Sequence, residues 1–195
     1  MTSIQAKRNN NYLHICGGSV INKNTILSAA HCFESSQLSD MRCVFGTSDL
    51  SYSIPDRQEI RIEEVIKHPK YRKGTSYYDL ALIKLKQDLE FSDSISPICI
   101  PDLPTQDANH RAHHATTLTG WGATESEGLS SPVLQQGQLT IFAAEYCNAS
   151  RIGLDQHGNM VAKSNLVPDL FQLSVLCAGK IKLSIFISCT LYFNM

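Results

Sequence analysis

The sequence predicts an all-β protein built as a barrel or sandwich, on three observations. Short runs rich in β-branched and aliphatic residues recur along the chain, turn residues separate them about every ten positions, and no long helical period appears. Leu13–Ile21 and Thr25–Ser28 read as a hairpin around the Asn22-Lys23-Asn24 turn, and Met41–Gly46 is a third strand. Glu59–Ile66 sets Ile60 and Ile62 against Glu59, Arg61 and Glu63, the alternation of a half-buried strand. Asp79–Lys86 puts Ala81, Ile83 and Leu85 on one face and Lys84 and Lys86 on the other. Pro55, Pro69 and Gly74 mark the loops between these runs. Ser96–Pro104, with three prolines, reads as extended linker, and His110–His114 lies in a polar stretch after it. Ala115–Gly120 and Gln138–Phe142 resume strands, while Ala143–Ser150 favours a short helix. The division near the proline-rich linker predicts two lobes.

Composition narrows the functional classes. The chain has 195 residues, 43% hydrophobic and 18% charged, as in an ordinary globular protein. A formal net charge of -1 leaves no basic footprint for nucleic acid and no strong attraction to a membrane surface. No segment reaches the roughly 18 apolar residues of a spanning helix. Ile181–Phe193 is the most apolar, and it is too short and too polar to span.

Seven cysteines, none in a C-x-x-C pair, argue against zinc ribbons and thioredoxin-like motifs and for disulfides. Disulfides imply an oxidising, extracellular compartment. The glycosylation triplet Asn148-Ala149-Ser150 agrees with that compartment. Met1–Lys7 carries no basic start, apolar stretch or cleavage site, so no signal peptide is read there and Met1 is not expected to be the natural start. His110-Arg111-Ala112-His113-His114 suggests metal, but it lies in a polar loop without a nearby cysteine pair, so neither metal nor cofactor is assigned.

The most informative segment is Ile26-Leu27-Ser28-Ala29-Ala30-His31-Cys32, preceded by Cys16-Gly17-Gly18-Ser19. Tyr78-Asp79-Leu80-Ala81-Leu82-Ile83-Lys84-Leu85 follows, with Asp79 placed 48 residues after His31. His68-Pro69-Lys70-Tyr71, Ser96–Pro101, Thr119-Gly120-Trp121-Gly122 and Leu176-Cys177-Ala178-Gly179 complete an ordered set. Together these segments resemble the trypsin-like serine proteases from Met1 to Gly179.

The resemblance implies two six-stranded antiparallel β-barrels, the second incomplete here. The first barrel would cover about 1–96, the linker 97–115 and the partial second barrel 116–179, with 180–195 a divergent tail. It implies that His31 and Asp79 hold the histidine and aspartate positions of a catalytic triad. It also implies disulfides Cys16–Cys32 and Cys147–Cys177, and a Cys99 that bonds to a pro-segment; Cys43 and Cys189 are left without an assigned partner. The substrate implied is a polypeptide, cleaved through an acyl-enzyme.

Two departures qualify that expectation. Gly-Asp-Ser-Gly-Gly, which carries the family's nucleophile and oxyanion-hole amides, does not occur in the sequence. Ser184 and Ser188 lack flanking glycines, so neither is assigned as nucleophile. The mature family start, Ile-Val-Gly-Gly, is also missing. The expectation is a serine endopeptidase domain truncated at both ends and inactive by itself. The alternative is a non-catalytic homologue that binds or regulates a partner.

Overall fold

A computed structural model describes residues 1–35, 37–74, 78–100, 115–124, 129–142, 152–154, 160–162 and 177–179. The chain divides into two compact units, the first built on Met1–Pro101 and Thr119–Gln135, the second on Asp102–Leu118 and Gln136–Leu191.

Six strands form the first unit's barrel: β1 (Thr2–Arg8), β2 (Asn11–Asn22), β3 (Thr25–Ser28), β4 (Met41–Phe45), β5 (Gln58–Lys67) and β6 (Ala81–Leu85). Their order around the closed barrel is β1-β2-β3-β6-β5-β4, and every pairing is antiparallel. Closure removes the free edges that would otherwise seek another chain. Every strand contributes buried apolar side chains to the barrel. Ile4, Val20, Ile26, Met41, Phe45 and Ile83 are all at most 2% exposed. β5 shows the expected alternation, with Ile60 and Ile62 buried and Glu59, Arg61 and Glu63 outward. Its pairing with β6 slips between Ile62 and Glu64, a bulge of the kind that bends a strand around a barrel.

β1 was not among the strands expected from sequence. Its residues Thr2–Ala6 are all buried, so the polar-apolar alternation of Ser3-Ile4-Gln5-Ala6-Lys7 does not divide solvent from core there. Its polar side chains find partners instead. Thr2 Oγ1 donates to the Val44 carbonyl at 2.8 Å, Ser3 Oγ pairs with His14 Nδ1 at 2.8 Å, and Gln5 Oε1 accepts from Arg42 Nε at 2.9 Å. Trp121, 1% exposed, donates its indole N–H to the Ser48 carbonyl at 3.2 Å and lies beside the His14 ring.

Outside the barrel, β7 (Ala115–Gly120), β8 (Gln135–Phe142) and β11 (Cys177–Gly179) form a three-stranded sheet in the order β11-β8-β7. β9 (Ile152–Leu154) and β10 (Met160–Ala162) pair as a separate ribbon. Among the described residues the architecture is all-β, with a closed six-stranded antiparallel barrel and smaller sheets beside it in sequence, in agreement with the fold class that the sequence predicts. The expected helix at Ala143–Ser150 lies outside the described residues, as do His110–His114, Cys147, Asn148 and Cys189.

Candidate active site

The antiparallel register of β3 and β6 brings the two candidate residues together. Thr25 faces Lys84 and Ser28 faces Ala81. Continued three residues past Ser28, that register reaches His31 on one side and the segment just before Ala81 on the other. A separation of 48 residues in sequence therefore becomes a side-chain contact.

His31 sits in a single 3-10 turn, Ala30–Phe33, entered through an extended Ala29. Ala29 and Ala30 are 5% and 0% exposed, so larger side chains there would collide with the barrel's packed end. Cys32 anchors the turn to β2 through its disulfide with Cys16, as the family resemblance implies. Nε2 of His31 lies 3.7 Å from Cys32 Sγ, a disulfide sulfur with no proton to donate. Cys16, His31 and Cys32 cluster closely enough to suggest a metal site, but the disulfide leaves no thiolate to bind one.

Asp79 lies just outside β6, in a tight turn closed by a 2.8 Å bond from the Leu80 N–H to the Tyr78 carbonyl. Tyr78 adopts φ +53°, the left-handed region that non-glycine residues enter at a cost of about 1–2 kcal/mol. Its ring stacks on His68 with centroids 4.9 Å apart, which offsets part of that cost. The carboxylate grips the histidine twice. Oδ1 accepts the His31 backbone N–H at 2.8 Å, and Oδ2 meets Nδ1 at 2.6 Å.

With both carboxylate oxygens used as acceptors, the Nδ1 contact requires the ring proton to be on Nδ1. The Nε2 lone pair is then left to take a proton, and the imidazole is one-third exposed. Asp79 is less exposed, at 17%, so its charge acts on the ring with reduced screening from water. An imidazole held this way has the geometry to act as a general base and then as a general acid.

Further bonds surround the pair. The Tyr71 hydroxyl donates a short hydrogen bond to Glu34 Oε1, and Lys67 Nζ donates to the Phe33 carbonyl at 3.1 Å. The Tyr71 bond holds the Glu34 carboxyl below its ordinary range, while burial and then the Glu34 contact push the Tyr71 phenol up. Glu34 was not singled out from sequence, because a glutamate following a histidine turn carries no motif of its own.

The other sequence-marked cysteines separate by environment. Cys43 is a buried free thiol in β4, pushed up to about 12 by burial. Cys99 is a free thiol exposed to solvent.

The comparisons agree with the geometry. A family model described as Trypsin matches residues 1–169. The chain is 34% identical over 168 residues to the serine proteinase stubble of Drosophila melanogaster, a match covering 85% of this chain and 19% of that protein. It is also 34% identical over 138 residues to ovochymase-2 of Mus musculus, covering 70% of this chain and 22% of that protein. The chain thus spans about a fifth of the length of these curated relatives.

Proposed function

Because this chain belongs to the trypsin family of serine proteases, we propose that it is part of a serine-type endopeptidase, with His31 as proton carrier and Asp79 as the carboxylate that holds it. The observation that carries this reading is the double grip of Asp79 on the His31 backbone and ring. In the proposed reaction a serine hydroxyl attacks the peptide carbonyl carbon as His31 Nε2 takes its proton. The same nitrogen returns that proton to the leaving amine, and water repeats the sequence on the acyl-enzyme. Asp79 stabilises the imidazolium that forms between the two transfers.

The family's Gly-Asp-Ser-Gly-Gly is not among these 195 residues. We therefore assign them two triad positions, and to them alone no hydrolysis. The same observation favours a second reading, a non-catalytic homologue that binds or regulates a partner.

Further parts of the proposal follow from the family. The protease domain would occupy residues 1–179. Secretion is supported by the Cys16–Cys32 disulfide, with Asn148 as glycosylation site and Cys147–Cys177 as a second bridge. The exposed thiol of Cys99 is available for a bond to a pro-segment.

Transcript sequencing across the Gly179 codon, followed by assay on a panel of fluorogenic peptides, tests the reading. A product that continues in frame into Gly-Asp-Ser-Gly-Gly is expected to cleave peptides, and Asp79→Asn should lower its kcat about 10⁴-fold. If every transcript ends at Met195 and the product cleaves nothing, the binding or regulatory reading replaces the enzymatic one.

A further inference from the structure

We propose that Tyr71 and Glu34 are positioning residues, a tie that fixes the turn bearing His31 against the loop bearing Asp79. The inference rests on the reading of His31 and Asp79 as a catalytic pair, and it adds the device that sets their distance. Glu34 follows the histidine turn directly, and its backbone N–H bonds to the His31 carbonyl at 3.2 Å. Tyr71 belongs to the opposite side. Its N–H donates to the His68 carbonyl at 2.9 Å, and the His68 N–H donates to the Leu80 carbonyl at 2.9 Å. Through these bonds Tyr71 is rigidly connected to the residue next to Asp79.

The phenol–carboxylate bond closes a ring from His31 through Glu34, Tyr71, His68 and Leu80 to Asp79 and back to His31. Tyr71 is only 9% exposed and packs in the barrel core, so its hydroxyl has little freedom to swing away. A bond to an ionised acceptor is stronger than a neutral one, which suits a tie that must hold two loops. The Asp79 charge also acts on the Tyr71 phenol, which places the tie close to the pair it serves. Lys67 Nζ on the Phe33 carbonyl braces the same turn, but through its backbone and from the end of β5.

The test is the solvent-exchange rate of the His31 Nδ1 proton, followed by NMR in the full 195-residue chain. Tyr71→Phe removes one oxygen and keeps the ring in the core. Glu34→Ala removes the acceptor from a half-buried position, and Glu34→Gln restores an acceptor without charge. We expect exchange on the order of tenfold faster in Tyr71→Phe and Glu34→Ala, with partial recovery in Glu34→Gln and backbone amide exchange of the barrel unchanged. An unchanged Nδ1 proton in both deletions would overturn the inference. So would acceleration matched equally by the barrel amides, which is general loosening and not positioning. Failure of the underlying reading is seen separately, in the parent chain: Asp79→Asn would then leave the His31 proton unmoved.

Discussion

At the scale of single residues, local chemistry decides which groups can act. His31 and Asp79 were legible in the sequence because the family surrounds them with recognisable neighbours, Ala-Ala-His-Cys and Tyr-Asp-Leu-Ala-Leu. The groups that hold them were not. Tyr78 gives no hint of its left-handed backbone, since tyrosine rarely adopts one, and although Tyr71 ends the His68-Pro69-Lys70-Tyr71 segment, nothing in the sequence marks its partner Glu34, 37 residues away. His14 is a further case, a half-buried imidazole beside Ser3 and Trp121. Burial lowers its pKa in the folded chain, so the unfolded chain binds a proton first as pH falls. Its contribution to stability is complete above its ordinary value of about 6.5 and is lost as pH drops below it. Chemical denaturation at about pH 7.5 and pH 5.5 should show a lower midpoint at the acid value, and His14→Gln should reduce that difference. An unchanged difference would assign the acid sensitivity to other groups.

At the scale of elements, strands that separate core from solvent could be read in advance and strands buried on both faces could not. β6, and β5 as far as its bulge after Ile62, carry clean alternation, and Ile60, Ile62, Ala81, Ile83 and Leu85 are inward as expected. β1 places Thr2, Ser3 and Gln5 in buried positions, where hydrogen bonds to neighbouring strands compensate for their polarity. Ser3-Ile4-Gln5-Ala6-Lys7 alternates as a strand should, but the burial of Ser3 and Gln5 is hidden in sequence because the partners that satisfy them are distant along the chain. The turn after β4 is equally specific. Gly46 has φ +73°, and a Cβ there would meet the Asp56 carbonyl oxygen at 2.6 Å. Gly46→Ala should therefore destabilise the barrel by more than the roughly 1 kcal/mol of backbone strain alone, read as a lower denaturant midpoint with unchanged slope. A neutral outcome would mean that the Asp56 loop moves aside freely.

At the scale of the whole molecule, the barrel converts distance along the chain into contact in space. β3 and β6 are neighbours in the barrel although two strands lie between them in sequence, and this pairing brings Asp79 to His31. The Cys16–Cys32 bond then fixes the histidine turn to β2. In the chain-entropy model, closing a loop of this size stabilises by about 3 kcal/mol. The double variant Cys16→Ala/Cys32→Ala should lose about that much by equilibrium denaturation. A loss near zero would show that barrel closure alone holds the turn.

The central claim is that this chain presents a histidine prepared by an aspartate for proton transfer, and proton NMR of the His31 imidazole tests it most directly. A far-downfield Nδ1 proton, protected from solvent and lost in Asp79→Asn, is the predicted result. A His31 ring with no such proton, or one whose signal survives Asp79→Asn unchanged, would contradict the claim and leave the family's fold without the family's catalytic pair.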